Sequence, residues 1–452
     1  MKPSSSPSEG GLFDGVLARG AVRDQVGDTA WLQAMLDAEA ALAYAEAEVG
    51  LIGRDQAGTI AAFCRVDRYD LGELGRDAAA GGNPVIPLVR ALTAAVYEAD
   101  PEAAKHVHRG ATSQDILDTA AMLVAYRALE PMLADLTATA ETAARLADEH
   151  RATLMPGRTL LQHALPITFG LTAAGWLVAL DTNTGRLSDV RDDRLAVQLG
   201  GASGTLASLA GSGVEVVAAY ADVLGLAEPV LPWHTDRTRV AELAGVLGTL
   251  AGAVAKIGRD VALLAQTEVA EVREEAPGGS STMPHKRNPV SAVSAVAAAQ
   301  RAPGLVSTLL GAMAQEHQRG AGSWHTEWLP LRDLLGTVGS AVASLRDCLG
   351  GLVVDADRMR ANLDLTGGHL LTERVTTALT TRLGRLAAHD TVTRASAESL
   401  ASGRPLGEVL AESGIPADEV AALLDPASYL GSADEFIDRA LAAHESTVED
   451  ES

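Results

Sequence analysis

Aromatic residues make up only 3% of this 452-residue chain, although 47% of it is hydrophobic. The interior must therefore be filled by Ala, Leu and Val, which suit closely approaching helices better than sheets that rely on aromatic and β-branched residues. This composition predicts an all-α protein. Cysteine is almost missing. Cys64 and Cys348 make no disulfide framework and lack metal-ligand spacing, which points to a reducing compartment. Basic residues are outnumbered, 36 Lys and Arg against 59 Asp and Glu, for a formal charge of -23. Nucleic acid, whose phosphates demand a basic face, is excluded as a partner, and solubility is the plain explanation of the acidity. No long segment is read as free of charges and helix breakers in the way a membrane span would be. Residues 1–11 are polar with no apolar core, so they are read as a disordered tail and not a signal peptide, and the protein is expected in the cytoplasm.

Length alone favours two or three domains. From Asp28 to Val49 the residues Trp31, Met35, Ala38, Leu42, Ala45 and Val49 recur at helical steps, with Asp37, Glu39, Glu46 and Glu48 off that stripe, which predicts an amphipathic helix. Short helices broken by Gly and Pro complete an N-terminal helical domain over 12–104. Prolines then become sparse, with none between Pro166 and Pro229, Pro232 and Pro277, or Pro303 and Pro330, so long helices are allowed over 105–353. Leu243, Leu247, Leu250, Val254, Ile257, Val261 and Leu264 form a coiled-coil-like seam. Small residues beside it, among them Gly245, Gly248 and Gly252, predict contacts between subunits. Breaks at Gly367-Gly368, Gly403 to Pro405 and Gly414 to Pro416 mark a small helical C-terminal domain over 354–452 that ends in a solvated acidic tail.

The most informative run is Gly278 to Pro289, which places Ser280, Lys286 and Asn288 on one loop. Gly278 and Gly279 are read as hinges that permit backbone angles closed to other residues, and Pro284 and Pro289 bracket the segment against helix formation. Taken alone, a hydroxyl, a cation and an amide are also what a solvated loop carries. Together they can move a proton: a serine oxyanion near a cation and backbone N–H groups can accept a carbon-bound proton. A second segment places Thr112, Ser113 and Gln114 directly before the apolar run from Ile116, where either plain N-capping or anion binding at a helix N-terminus fits. His108, Arg109, Arg158, Lys286, Arg287 and Arg319 all fall in such segments, which predicts a locally positive pocket in an acidic protein.

The run Gly279-Ser280-Ser281-Thr282-Met283-Pro284-His285-Lys286-Arg287-Asn288 resembles the mobile catalytic loop of the fumarase/aspartase superfamily. His108 to Asp115 resembles that superfamily's substrate-carboxylate loop, and Gly157 to Gln162 falls where its Arg-Thr-His-x-Gln segment is expected. The resemblance implies a three-domain, all-α fold with a central long-helix bundle. It implies Ser280 as acid/base and Lys286 as a second catalytic residue that, with Asn288, grips a substrate carboxylate. Ser281 and Met283 shape the loop and line the site, and His108, Thr112, Ser113, Gln114, Thr159, Gln162 and Arg319 are further substrate ligands. For His285 and Arg287 a solvated role and an active one both stand, and His163 is either a core or loop histidine or a catalytic one.

Two departures narrow the resemblance. Superfamily members that expel an amine or hydroxide pair a histidine with a glutamate, and those positions here are Leu160 and Val293. Loss of both halves fits a leaving group that is already a weak base and needs no proton. Gly82 to Leu88, Pro232 to Thr235, Gln315 to Gly320 and Asn362 to Gly368 resemble the 3-carboxy-cis,cis-muconate cycloisomerase family within the superfamily. That resemblance implies lactone formation from a small polycarboxylate in aromatic catabolism, through protocatechuate, without metal or organic cofactor. It also implies a homotetramer with active sites shared between subunits. A same-fold lyase, either adenylosuccinate lyase or one expelling a weakly basic group such as nitrite, and a non-catalytic helical scaffold are the alternatives.

Overall fold

The computed structural model describes residues 11–451, so the tail expected over 1–11 lies outside the described residues apart from Gly11. Helices dominate, the long ones being α1 (Asp28–Glu48), α2 (Ser113–Glu149), α3 (Phe169–Asp193), α4 (Thr238–Leu264) and α5 (Ser323–Gly350). The residues sort into two compact units. One comprises the chain up to Leu136, Thr182–Lys256 and Ser294–Arg346; the other comprises Thr137–Asp181, Ile257–Val293 and the chain from Asp347 onward.

In the first unit α1 departs from its predicted amphipathic form. Glu39 and Glu46, which fall off the apolar stripe, are buried at 1% and 0% exposure, so this helix is enclosed on more than one side. It packs against the helices Arg54–Phe63 and Gly213–Leu224. Its alanines allow close approach, since a methyl group keeps two backbones nearer than a leucine would.

The seam on α4 is as expected, with Leu243, Leu247, Leu250, Val254, Ile257 and Val261 all fully buried. By length and composition α4 is apolar enough to cross a membrane, although it carries Arg239, Glu242, Lys256, Arg259 and Asp260. Burial of that whole face in the fold accounts for the apolar run. Long helices also tolerate proline more than the spacing suggested: Pro131 lies within α2 and Pro330 within α5.

The second unit holds the strands, which composition gave no reason to expect. β1 (Leu154–Thr159) pairs antiparallel with β2 (Gln162–Thr168), and β3 (Val272–Glu274) with β4 (Leu352–Val354). Register slips between Pro156 and Arg158, where a side chain on Gly157 would lie 2.7 Å from the Leu165 carbonyl oxygen. Only glycine fits there. C-terminal helices close their own core around Val375, Leu379, Val392, Leu406, Val409 and Leu410.

Candidate active site

In the first unit a polar cradle is built around the N-terminus of α2. Asp115, one turn in and fully buried, accepts hydrogen bonds from the backbone N–H groups of Thr112 (2.9 Å), Gly200 (3.0 Å) and Gly201 (2.8 Å). His234 Nε2 lies 2.6 Å from the same carboxylate. The two glycines are needed: a Cβ on Gly200 would meet His234 and Pro232 at 2.7 Å, and Gly201 has φ of 69°. Asp115 thereby fixes the turn that presents Thr112 and Ser113 at the helix N-terminus, where unpaired N–H groups favour an anion.

Arg319 reaches this same turn. Its guanidinium donates to Gln114 Oε1 at 3.0 Å and to Thr112 Oγ1 at 3.2 Å, while Gln114 donates to the His234 carbonyl at 2.8 Å and to Asp118 at 3.1 Å. Below lies a buried charge cluster. Arg237 pairs with Asp118 (2.8 Å) and with Glu327 (2.6 Å), Trp324 Nε1 donates to Asp118, and Gln315 donates to Glu327. Removing one member of such a network leaves an uncompensated buried charge, which costs about 3–5 kcal/mol. Burial pushes the Glu327 carboxyl up, against the pull of Arg237. His108 lies 2.6 Å from Glu39 Oε1; burial opposes its charge, yet Glu39 and then Asp115 raise its pKa above the usual value.

In the second unit Ser280, Ser281, Met283, Lys286 and Asn288 share one loop. Its base is pinned by paired backbone bonds between Gly278 and Asn288, 2.9 and 3.0 Å, and the Asn288 amide donates to the Gly279 carbonyl at 3.3 Å. Ser280 Oγ accepts from the backbone N–H of Met283 at 3.1 Å and of Thr282 at 3.4 Å. Those two donors face the oxygen that would carry negative charge. Lys286 and Arg287 are exposed and have no ion-pair partner among the described residues. Neither Gly278 nor Gly279 adopts a left-handed backbone conformation in this structure. What Gly278 supplies is space, because a Cβ there would lie 2.0 Å from Val290 Cγ2.

Thr159 and Gln162 flank the tip of the β1–β2 hairpin rather than joining the serine loop's own hydrogen bonds; the Gln162 amide donates to the Leu161 carbonyl at 3.3 Å. Leu160 and Leu161 occupy the tip with φ of 50° and 64°, 97% and 72% exposed. Val293 is 53% exposed as well. Within one chain both departure positions therefore stand open to solvent. His163 sits on β2 opposite Arg158, and burial first, then Arg158, lowers its pKa.

Two of the cations expected in a positive pocket are engaged within their own units. Arg158 is held by buried Glu271 through contacts of 2.7 and 2.9 Å, and Asn362 donates to that carboxylate at 2.7 Å. Arg109 donates to the Leu51 carbonyl at 3.0 Å. Sequence reading passed over Glu39, Asp115, Asp118, His234, Arg237 and Glu327 as functional groups. Asp115 and His234 stood inside segments already singled out; for Glu39 the signal was an acid within an alanine-rich helix.

A family profile described as Lyase matches residues 18–304, and one described as Adenylosuccinate lyase C-terminus matches residues 368–440. The chain is 48% identical to a 3-carboxy-cis,cis-muconate cycloisomerase of Pseudomonas aeruginosa, covering 96% of each. It is 46% identical to a nitrosuccinate lyase of Streptomyces davaonensis, covering 97% of this chain and 96% of the relative. Among solved structures, the 3-carboxy-cis,cis-muconate lactonizing enzyme from Pseudomonas putida superposes with a TM-score of 0.92 at 44% identity, covering 97% of this chain and 99% of that one. On these matches, and on the helical fold and loop that accompany them, the chain belongs to the fumarase/aspartase superfamily.

Proposed function

We propose that the chain is a cycloisomerase interconverting 3-carboxy-cis,cis-muconate and carboxymuconolactone in protocatechuate breakdown. In the forward direction a carboxylate oxygen of the substrate adds to the conjugated double bond, forming the ring C–O bond. The displaced electron pair moves onto the carbon beside a second carboxylate, and Ser280 delivers its proton to that carbon. The serine oxygen left behind recovers a proton from solvent.

The observation that carries this reading is the Ser280 oxygen, which accepts two backbone N–H bonds on a loop that also holds an exposed lysine. These donors are in place before the reaction begins and stabilise the alkoxide that proton delivery leaves behind. Lys286 with Asn288 holds the carboxylate on which charge accumulates, while Thr112, Ser113, Gln114, His108 and Arg319 bind the remaining carboxylates, and Thr159, Gln162, Ser281 and Met283 complete the lining. In the reverse reaction the leaving group is an internal carboxylate, so the Leu160 and Val293 departures are no defect.

The same logic favours one further reading. A nitrite leaving group is also a weak base, and the nitrosuccinate lyase relative is nearly as similar as the cycloisomerase. Offering each substrate to the purified chain separates the two: loss of diene absorbance marks lactone formation, and release of nitrite marks the lyase.

The reading extends to a homotetramer with shared sites. Gly245, Thr249 and Gly252 lie exposed at helical spacing on α4, and the strained Leu160-Leu161 tip is exposed. Both suit cover by another copy of this chain. Light scattering that shows a stable active monomer would contradict the assembly.

A further inference from the structure

Glu39 sits mid-helix in α1 at 1% exposure, with one carboxylate oxygen 2.6 Å from His108 Nδ1 and the other without a hydrogen-bond partner. A buried carboxylate is costly unless paired, and the group that meets this one is His108. The histidine is held in an unusual backbone conformation to reach it, with φ of 57°, a region costly for a residue with a side chain. Arg109 fastens the same segment by donating to the Leu51 carbonyl, three residues beyond the last residue of α1. Gly110, at φ of 76°, then turns the chain toward Thr112, and a Cβ on it would strike Leu209 at 2.5 Å. The Nδ1 edge of the ring is thus committed to Glu39. Only the Nε2 edge is left to meet a ligand.

We propose that Glu39 is a positioning residue for the reaction: it fixes the His108 ring through Nδ1–H and keeps it as an imidazolium whose Nε2–H is presented to a substrate carboxylate. This rests on the polycarboxylate reading of the site. A neutral imidazole would offer one donor and no charge, whereas the imidazolium keeps both ring nitrogens as donors and adds attraction to an anion.

The surrounding groups favour the cation. Burial works against it, but Glu39 and Asp115 outweigh burial and raise the His108 pKa. Glu46, one further face-sharing position along α1, is influenced by both Arg109 and Glu39. Tyr220 feels Glu39 and Asp115, and its phenol is pushed up by burial, so it stays neutral. His234 Nε2 lies 2.6 Å from Asp115 Oδ1. Arg109 is the cation of the same segment, and its guanidinium faces the Leu51 carbonyl.

The test compares wild type, Glu39→Gln, His108→Gln and the double variant. It measures KM and kcat on 3-carboxy-cis,cis-muconate, and calorimetric binding of propane-1,2,3-tricarboxylate, at pH 6 and pH 8. Glutamine keeps an acceptor for Nδ1–H but removes the charge. The expected result is a rise in KM and in tricarboxylate Kd of about tenfold or more at pH 8, closing to about twofold at pH 6, with kcat little changed. In the His108→Gln background Glu39→Gln should add nothing. Equal weakening at both pH values, no weakening, or additive effects in the double variant would overturn the proposal. Should Glu39→Gln fail to fold, the comparison of wild type with His108→Gln decides, since a pH dependence of tricarboxylate binding that is the same in His108→Gln as in wild type is incompatible with it. Absence of turnover by wild type alongside the expected tricarboxylate pattern would instead strike the substrate reading and leave the Glu39–His108 relationship standing.

Discussion

His234 Nε2 and Asp115 Oδ1 lie 2.6 Å apart, and the same Asp115 carboxylate holds three backbone N–H groups from two separate segments. One buried side chain thereby sets the distance between the α2 N-terminus and the Gly200-Gly201 turn. Asp115→Asn replaces one acceptor oxygen by a donor facing other donors. It should destabilise the fold by about 2–4 kcal/mol and raise KM by about tenfold or more, measured by denaturant unfolding and by steady-state kinetics. Unchanged stability would show that the turn is held by other means.

Glu46 gives a pH signature in stability. Burial, opposed by Arg109, pushes its carboxyl from 4.5 up to about 7. Between those values the native state keeps a proton that the unfolded chain releases, so stability declines as pH rises from about 4.5 to about 7 and is level above. Glu46→Gln cannot ionise. It should match wild type near pH 4.5 and gain progressively up to pH 7, by about 1–3 kcal/mol. Thermal melts of both proteins across that window check this; an offset that is constant with pH would contradict it.

The serine loop depends on room at Gly278. Gly278→Ala puts a methyl group into Val290 and should lower turnover by at least about tenfold through displacement of the loop base, while Gly278→Ala with Val290→Ala should recover most of the loss. Kinetic assay of the single and double variants reads the outcome. Failure of the second substitution to rescue would show that Gly278 is needed for something other than space.

Much of this was legible in the sequence. A low aromatic content with abundant Ala and Leu announced helices, and the unbroken seam from Leu243 to Val261 is buried throughout. The serine loop could be read because its residues are adjacent in the chain. The cradle could not, because Glu39 and His108, or Asp115 and His234, meet only after folding across 69 and 119 residues. Periodicity placed Glu39 and Glu46 outside the apolar stripe and so misread them as solvent-facing. The β1–β2 hairpin stayed hidden for a different reason: its tip is Leu160-Leu161, whereas turns with two left-handed residues ordinarily advertise themselves with Asn and Gly.

Restoring the superfamily's acid pair tests the account of the departures. Leu160→His with Val293→Glu should not accelerate lactone formation, because no leaving-group proton is in flight. Both positions are exposed within one chain, so folding of the chain itself should be little affected. A rate gain of about tenfold, roughly 1.4 kcal/mol of barrier, would show that a general acid was limiting.

The most direct measurement is the initial rate of diene absorbance loss on 3-carboxy-cis,cis-muconate, taken with wild type and Ser280→Ala under the same conditions. The account predicts turnover by wild type and a fall of about two to four orders of magnitude in the variant, with the fold intact because Ser280 lies on a surface loop. No turnover by wild type, or near-wild-type rates after Ser280→Ala, would contradict it.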